Sequence, residues 1–320
     1  MYARRTTLIA CLLLASPGPG AEEFLLSPGN DVVGDITLTT SVHADTLSDL
    51  ARAHDQGYKE MRLANPRVDP WLPGEDTEIL VPSQYVLPPG ERSGIVINVP
   101  EMRLYYFPKP RKGEPARVIT HPVSIGRQEW TTPKGATRIT AKTRNPAWYP
   151  PASIRAEHEE AGDPLPRVVP AGPDNPLGAF AMRLSLPGYL IHGTNKPYGI
   201  GMRVTHGCIR MYPKDIESIF AQVPVGTPVR IVNFPYKVGR LNNTLHLEVH
   251  PHLEEDNAEY ADLHTHVVKL IVDHMPGEKV NLQWGPLRQA LQSATGMPAM
   301  IGSVQPGAAP RLAEAAPAGS

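Results

Sequence analysis

Tyr189-Leu190-Ile191-His192-Gly193-Thr194-Asn195 is followed, after a loop carrying Pro197, Gly199 and Gly201, by Thr205-His206-Gly207-Cys208-Ile209-Arg210-Met211. The apolar run Tyr189 to Ile191 reads as a short buried strand that ends on His192. A loop of this length can fold Cys208 back beside that strand. A thiol with an ordinary pKa of about 8.5 is mostly protonated at neutral pH, so nucleophilic work needs a base or a positive field beside it. Histidine, with an ordinary pKa of about 6.5, suits both removing that proton and returning it to a leaving amine. Gly207 removes a side chain next to the nucleophile, which lets backbone N–H groups of Gly207 and Cys208 approach a developing oxyanion. Arg210 stands where it could pair with a substrate carboxylate.

The thiol is singular. The sequence has 2 cysteines, and the other, Cys11, lies in an N-terminal segment where Arg4 and Arg5 precede the apolar run Leu8 to Ala15 and the breakers Pro17, Gly18, Pro19 and Gly20. That layout is a secretory signal peptide, expected over residues 1–21 with cleavage near Ala21 and export to the periplasm. The apolar run is too short for a membrane helix, which needs about 20 residues. It also continues past Cys11, unlike a lipid-attachment box. The flanks of the arginine pair fit twin-arginine export poorly. In an oxidising compartment a lone mature thiol has no disulfide partner in its own chain and is a candidate reactive group; the alternative is a small buried hydrophobe.

With 31 basic and 32 acidic residues in 320, the chain lacks the electrostatic footprint of a nucleic-acid binder. Thirty-six prolines and few aromatics favour strands and long ordered loops over a helical bundle. The fold class expected is mainly β with few helices, α+β. Residues 35–83 form a small unit: a strand at Ile36 to Val42, a helix capped by Asp45-Thr46-Leu47-Ser48, a second around Met61, Leu63 and Ala64, a turn at Leu72-Pro73-Gly74 and a strand at Glu78 to Val81. A Pro-Gly linker at Leu87 to Ser93 precedes a β domain at 94–233. Its strands are expected at Gly94 to Val99, Arg103 to Phe107 and Arg117 to Ile125, with helix chiefly at Pro213 to Val223. Residues 238–304 form a C-terminal extension, with a strand at Leu245 to Val249 and a helix through Tyr260 to His274. Residues 305–320 have a disordered composition.

Two resemblances follow. The β-α-α-β unit, with Asp45-Thr46-Leu47 at one end and Leu72-Pro73-Gly74 before Ile79-Leu80-Val81-Pro82 at the other, resembles a LysM glycan-binding module, although Ala44 stands where that family usually has glycine. His192-Gly193-Thr194 with Thr205-His206-Gly207-Cys208-Ile209-Arg210 resembles the YkuD domain of L,D-transpeptidases, a β-sandwich or barrel-like fold, over about residues 94–233. Together the two units are similar to the ErfK/YbiS/YcfS group of Gram-negative enzymes. Arg210 is usual in that group, whereas many other members carry asparagine.

The resemblance implies that Cys208 is the nucleophile and His192 the proton donor and acceptor. It implies further that the Gly193 carbonyl orients the His192 ring, Gly207 contributes to the oxyanion hole, and Thr205, His206 and Arg210 contact substrate. A proton-shuttling role for His206 is the alternative assignment. The implied reaction breaks the bond between the third residue of a peptidoglycan tetrapeptide stem and its terminal D-alanine, forms a Cys208 thioester, and passes the stem to an amine. The implied acceptor is the C-terminal lysine of an outer-membrane lipoprotein; 3-3 crosslinking, D-amino-acid exchange, hydrolysis and non-catalytic wall binding are the alternatives. Carbapenems are implied inhibitors. No cofactor or metal is expected, since His192, His206 and Cys208, like His246, His250 and His252, match no usual zinc spacing. Trp130, Trp148 and Tyr149 read as loop-locking aromatics, with lining of a stem-peptide groove the alternative, and Pro170 to Gly178 as a rigid loop flanking the site with Asn175 as its backbone clamp.

Overall fold

The computed structural model describes residues 22–305. The expected signal segment lies outside the described residues, as does the tail beyond Gln305. Strand Gly94–Asn98 sits inside a nine-stranded sheet and is buried on both sides, Ile95 and Ile97 facing one core and Val96 another. An apolar run without polar alternation is what such a strand requires. It pairs antiparallel with Arg103–Phe107 and parallel with Pro228–Val232. From Pro228–Val232 the sheet continues through Gly135–Arg144, Phe180–Leu184 and Leu190–His192 to Ile209–Arg210 at one edge. On the other side it runs through Arg117–Pro122 to Glu22–Leu25. The strand expected to continue to Ile125 breaks after Pro122, because Ser124 leaves its ladder to bridge Arg210.

Helix Pro213–Gln222 covers one face of this sheet with Ile216, Ile219 and Phe220. Burying side chains of that size contributes roughly 1.5–3 kcal/mol each. Proline at its first position loses no helical hydrogen bond there. A second helix, Ala152–Glu160, is absent from the sequence reading. Only its Ile154 is buried, so it lacks the apolar stripe that marks a helix in sequence.

The small unit has the order read from sequence, namely Thr37–Thr40, Leu47–Ala53, Tyr58–Ala64 and Glu78–Val81. Thr46 caps the first helix in a reciprocal box with Asp49, and Leu47, Leu50, Met61, Ile79 and Val81 fill a separate core. The C-terminal segment, whose sequence pattern is weak, is a folded unit. Tyr236–Leu241, Thr244–Val249, Ala299–Gln305 and Lys279–Leu282 form an antiparallel sheet, and helices Leu263–His274 and Trp284–Ser293 close its core.

Buried ion pairs join the units. Arg103, on the large sheet, places Nε 2.6 Å from Glu60 Oε1 of the small unit. Lys237, from the C-terminal unit, lies 2.8 Å from Glu101 and 2.7 Å from Glu248, with all three side chains excluded from solvent. Among the described residues no helix is long and apolar enough to cross a membrane.

Candidate active site

Strands Leu190–His192 and Ile209–Arg210 run parallel in a register that sets Ile191 beside Ile209 and His192 beside Arg210. Cys208 is therefore level with Leu190, and because side chains alternate, Cys208, His192 and Arg210 project from the same face. All three line one cavity of about 710 Å³, walled by Trp148, Tyr149, Ile154, Leu177, Tyr189 and His206. The sequence loop thus brings thiol, imidazole and guanidinium together at the sheet edge.

His192 is 5 % exposed, and its Nδ1 lies 2.7 Å from the Gly193 carbonyl. A carbonyl only accepts, so Nδ1 carries the hydrogen and Nε2 keeps its lone pair. Burial, and then the Arg210 charge, push the imidazole down to about 4, against the Gly193 and Leu177 carbonyls that favour its protonated form. The ring is neutral at physiological pH. Burial pushes the Cys208 thiol up from its ordinary value, opposed by the Leu190 N–H and the Arg210 guanidinium. The resting pair is thus a neutral thiol and a neutral imidazole instead of a preformed ion pair. The thiol points to the Gly188 carbonyl, with Sγ at 3.7 Å, and no hydrogen bond joins it to His192 among the described residues.

The turn into the nucleophile is built by threonines. Thr205 Oγ1 donates to the Cys208 carbonyl at 2.7 Å and accepts from the Gly207 N–H at 3.2 Å, while Thr132 Oγ1 donates to the Gly207 carbonyl at 3.0 Å. This corrects one expectation. The Gly207 N–H, read from sequence as an oxyanion donor, is committed to Thr205, whereas the Cys208 N–H has no partner among the described residues. Glycine at 207 answers another demand: its φ is +96°, and an added Cβ would meet the Tyr189 ring at 2.9 Å. Thr205 is 2 % exposed and builds the turn from within.

His206 lines the same cavity but is held by other partners. Its Nε2 lies 3.1 Å from Glu157 Oε2, its ring packs edge-on at 5.2 Å from Trp130, and Arg127 also bonds Glu157. Arg127 and Glu157 escape sequence reading because their partner lies on a distant segment; only the helix Ala152–Glu160 brings Glu157 to His206. Arg210 has the opposite character. Its Nε is buried with no hydrogen-bond partner and no carboxylate pairs with it among the described residues, which leaves a cationic group at the cavity wall. Asn175, 1 % exposed, donates to the carbonyls of Pro146, Val169 and Pro170 and accepts from the Leu177 N–H, and so fixes the loop that closes the far side.

The histidines at 246, 250 and 252 do not converge. His246 bonds Thr244, His250 bonds Glu248 and His252 bonds Tyr236 and Asn257, and His250 is buried. Groups with metal-ligand spacing occur elsewhere, at Asp55, His121 and Asp215 and at Glu101, Glu248 and His250. In the second of these Lys237 already occupies the position of a cation.

The fold and cavity define a sheet-edge enzyme whose thiol, neutral imidazole and unpaired guanidinium share one wall. Comparison with known proteins gives the family. The L,D-transpeptidase catalytic domain, YkuD, matches residues 92–231. The Escherichia coli protein named "Probable L,D-transpeptidase YcfS" is 41% identical over 78% of this chain and 78% of its own length. From the same organism, "Probable L,D-transpeptidase YbiS" is 37% identical over 87% of this chain and 90% of its length. "Probable L,D-transpeptidase ErfK/SrfK" is 37% identical over 94% and 98%. The chain belongs to the L,D-transpeptidase family, and the enzyme class expected from its sequence is the class of these relatives.

Proposed function

We propose that the enzyme is exported to the periplasm, where Cys208 takes the stem of a peptidoglycan tetrapeptide as a thioester and transfers it to the C-terminal lysine of an outer-membrane lipoprotein. The observation that carries this reading is the shared wall of Cys208, His192 and Arg210 in one cavity. Arg210, a half-buried cation without a carboxylate of its own among the described residues, fits a stem-peptide carboxylate and would position the scissile carbonyl over Cys208. The thiol leaves Gly188 and its proton passes to His192 Nε2 as sulfur bonds the carbonyl carbon. The carbonyl electron pair moves onto oxygen, where the Cys208 N–H stabilises it. Collapse of this intermediate breaks the C–N bond, and His192 returns its proton to the departing D-alanine amine.

In the second half an acceptor amine loses a proton to His192 while attacking the thioester, and sulfur leaves and is reprotonated. The small N-terminal unit, on its resemblance to a LysM module, would hold glycan near the site. His206, fixed by Glu157 and Trp130, shapes the entrance, and Thr205 holds the nucleophile's turn.

Muropeptide mass spectrometry of cells with and without the gene tests the acceptor. Lipoprotein remnants that disappear on deletion and return with the wild-type gene, but not with Cys208→Ala, are the expected result. Loss of 3-3 dimers or of D-amino-acid-substituted stems instead would replace the lipoprotein acceptor. A carbapenem should add its mass to the wild type and not to Cys208→Ala; an unmodified wild type that also turns over no stem peptide would leave only wall binding.

A further inference from the structure

The first described residue ends in a buried cluster that is short of positive charge. Asp55 follows helix Leu47–Ala53, His121 lies on strand Arg117–Pro122, and Asp215 is in the first turn of helix Pro213–Gln222. His121 Nδ1 is 3.2 Å from Asp55 Oδ2 and 3.6 Å from Asp215 Oδ2. Beside them Glu22 Oε2 lies 2.7 Å from the Tyr85 hydroxyl and 3.3 Å from Arg103, which also pairs with Glu60. Glu22, Asp55, Glu60 and Asp215 thus share only Arg103 and His121 as cations among the described residues.

The deficit shows in the atoms. Asp55 Oδ1 and Asp215 Oδ2 are buried with no hydrogen-bond partner among the described residues. Burial and the neighbouring carboxylates push both Glu22 and Asp215 up to about 7, as expected where acids outnumber their counter-ions. The backbone nitrogen of Glu22 already lies 3.3 Å from Asp55 Oδ2. It is the nitrogen that cleavage after residue 21 would free.

We propose that signal-peptide removal converts the Glu22 nitrogen into an α-ammonium that pairs with Asp55 and completes this cluster, so that processing locks the small unit onto the catalytic sheet. The proposal rests on the export reading above. In the step, water adds across the Ala21–Glu22 amide in the active site of a signal peptidase. The C–N bond breaks, Ala21 departs as a carboxylate, and the amine takes up a proton. An amide offers one hydrogen and no charge, whereas the ammonium offers three and a full charge, one for the strand partner and others for Asp55. An ordinary α-amine titrates near 7.7–8.0, and a neighbouring carboxylate favours its charged form. Asp215 stands in the helix that begins just after the Cys208 strand, and Tyr212 of that turn donates to the Gln56 carbonyl at 3.1 Å, so the same contact reaches the catalytic edge.

The experiment compares three proteins ending identically: one beginning with a free Glu22 amine, one with that amine acetylated, and one with Gly-Ser added before Glu22. Exported protein is first checked by intact mass for a start at Glu22. The blocked and extended forms should melt lower by about 4 °C or more, a shift expected for loss of a partly buried ion pair in a chain of this size. The difference should vanish in Asp55→Asn; if that variant does not fold, the acetylated wild type carries the comparison. The free amine should also react with an acylating reagent at neutral pH about tenfold more slowly than an ordinary α-amine, one unit of pKa. Equal melting of all three forms with a start at Glu22 would overturn the ion pair and leave export standing. A mature chain that begins elsewhere would overturn the proposal, and one that retains residues 1–21 would sink the export reading as well. A divalent ion held stoichiometrically by the extended form, with unchanged melting, would overturn it by assigning the cluster to a metal.

Discussion

His192 and Arg210 face each other across neighbouring parallel strands, and the guanidinium helps hold the imidazole neutral. A half-buried cation beside a base is a cost in the resting enzyme. It becomes useful when a substrate carboxylate neutralises Arg210, because the base strength of His192 then rises as the cavity fills.

This relationship fixes a pH dependence. His192 is depressed to about 4, so its base form is lost only as pH falls toward that value, and the acid limb of kcat/KM should lie below the ordinary histidine range. In Arg210→Met the limb should move to higher pH, because a charge that lowered the pKa is gone. The same change should slow alkylation of Cys208 at fixed pH, since Arg210 also favours the thiolate. Rate profiles with a tetrapeptide and with iodoacetamide read both; an acid limb that stays in place would remove Arg210 from this role.

Replacing His192 by Gln should lower transpeptidation by about 10²–10⁴-fold, the usual contribution of a positioned acid–base group. Cys208→Ala should abolish it, with thermal unfolding shifted by little because Cys208 is only partly buried and makes one long hydrogen bond. Stem-peptide turnover and a melting curve for each variant separate chemistry from folding.

Two glycines are expected to behave differently from an ordinary loop glycine. Gly207→Ala forces a Cβ to within 2.9 Å of Tyr189 at φ +96° and should displace the nucleophile, lowering kcat. Gly201→Ala would place a Cβ 2.4 Å from the Tyr58 nitrogen, so the small unit must shift. Its stability should fall with its activity, whereas Gly113→Ala, at φ +85° but with nothing within 4 Å, should cost only the backbone strain of that conformation and no steric displacement.

Glu60→Gln leaves Arg103 buried without its main counter-ion and should destabilise the protein by about 3–5 kcal/mol. Breaking the exposed Arg117–Glu23 pair with Arg117→Ala should cost under about 1 kcal/mol. Denaturant titration distinguishes the two; similar values would mean that the buried pair does not hold the small unit in place.

His121 is raised to about 10 by Asp55 and Asp215, against the effect of burial. A raised histidine stabilises fully below its unfolded pKa of about 6.5 and loses that contribution as pH climbs through the folded value. Unfolding free energy should therefore decline between pH 6.5 and about 10, and His121→Asn should flatten the slope in that window.

Much of the β domain was legible because Ile95 to Ile97 and Leu104 to Phe107 are unbroken apolar runs, and Ile216, Ile219 and Phe220 fall at helical spacing. The order of the small unit was legible for a similar reason, with Thr46 and Leu72-Pro73-Gly74 marking its ends. Helix Ala152–Glu160 was not, since one buried side chain leaves no pattern. Strand Glu22–Leu25 was not, because its pairing with Arg117–Pro122 lies far along the chain. Within the site, Cys208, His192 and Arg210 share one short sequence window, whereas Glu157 and Thr132 reach it only through folding.

The sequence by itself determined which groups could do chemistry: a thiol in a Thr-His-Gly-Cys turn, a histidine ending an apolar strand, and a glycine next to the nucleophile. Tertiary structure alone decided which atoms are free to do it. Hydrogen bonding is saturable and directional, so the Gly207 N–H is consumed by Thr205 while the Cys208 N–H stays open. Burial is likewise set by distant segments, and burial is what leaves the thiol and imidazole neutral.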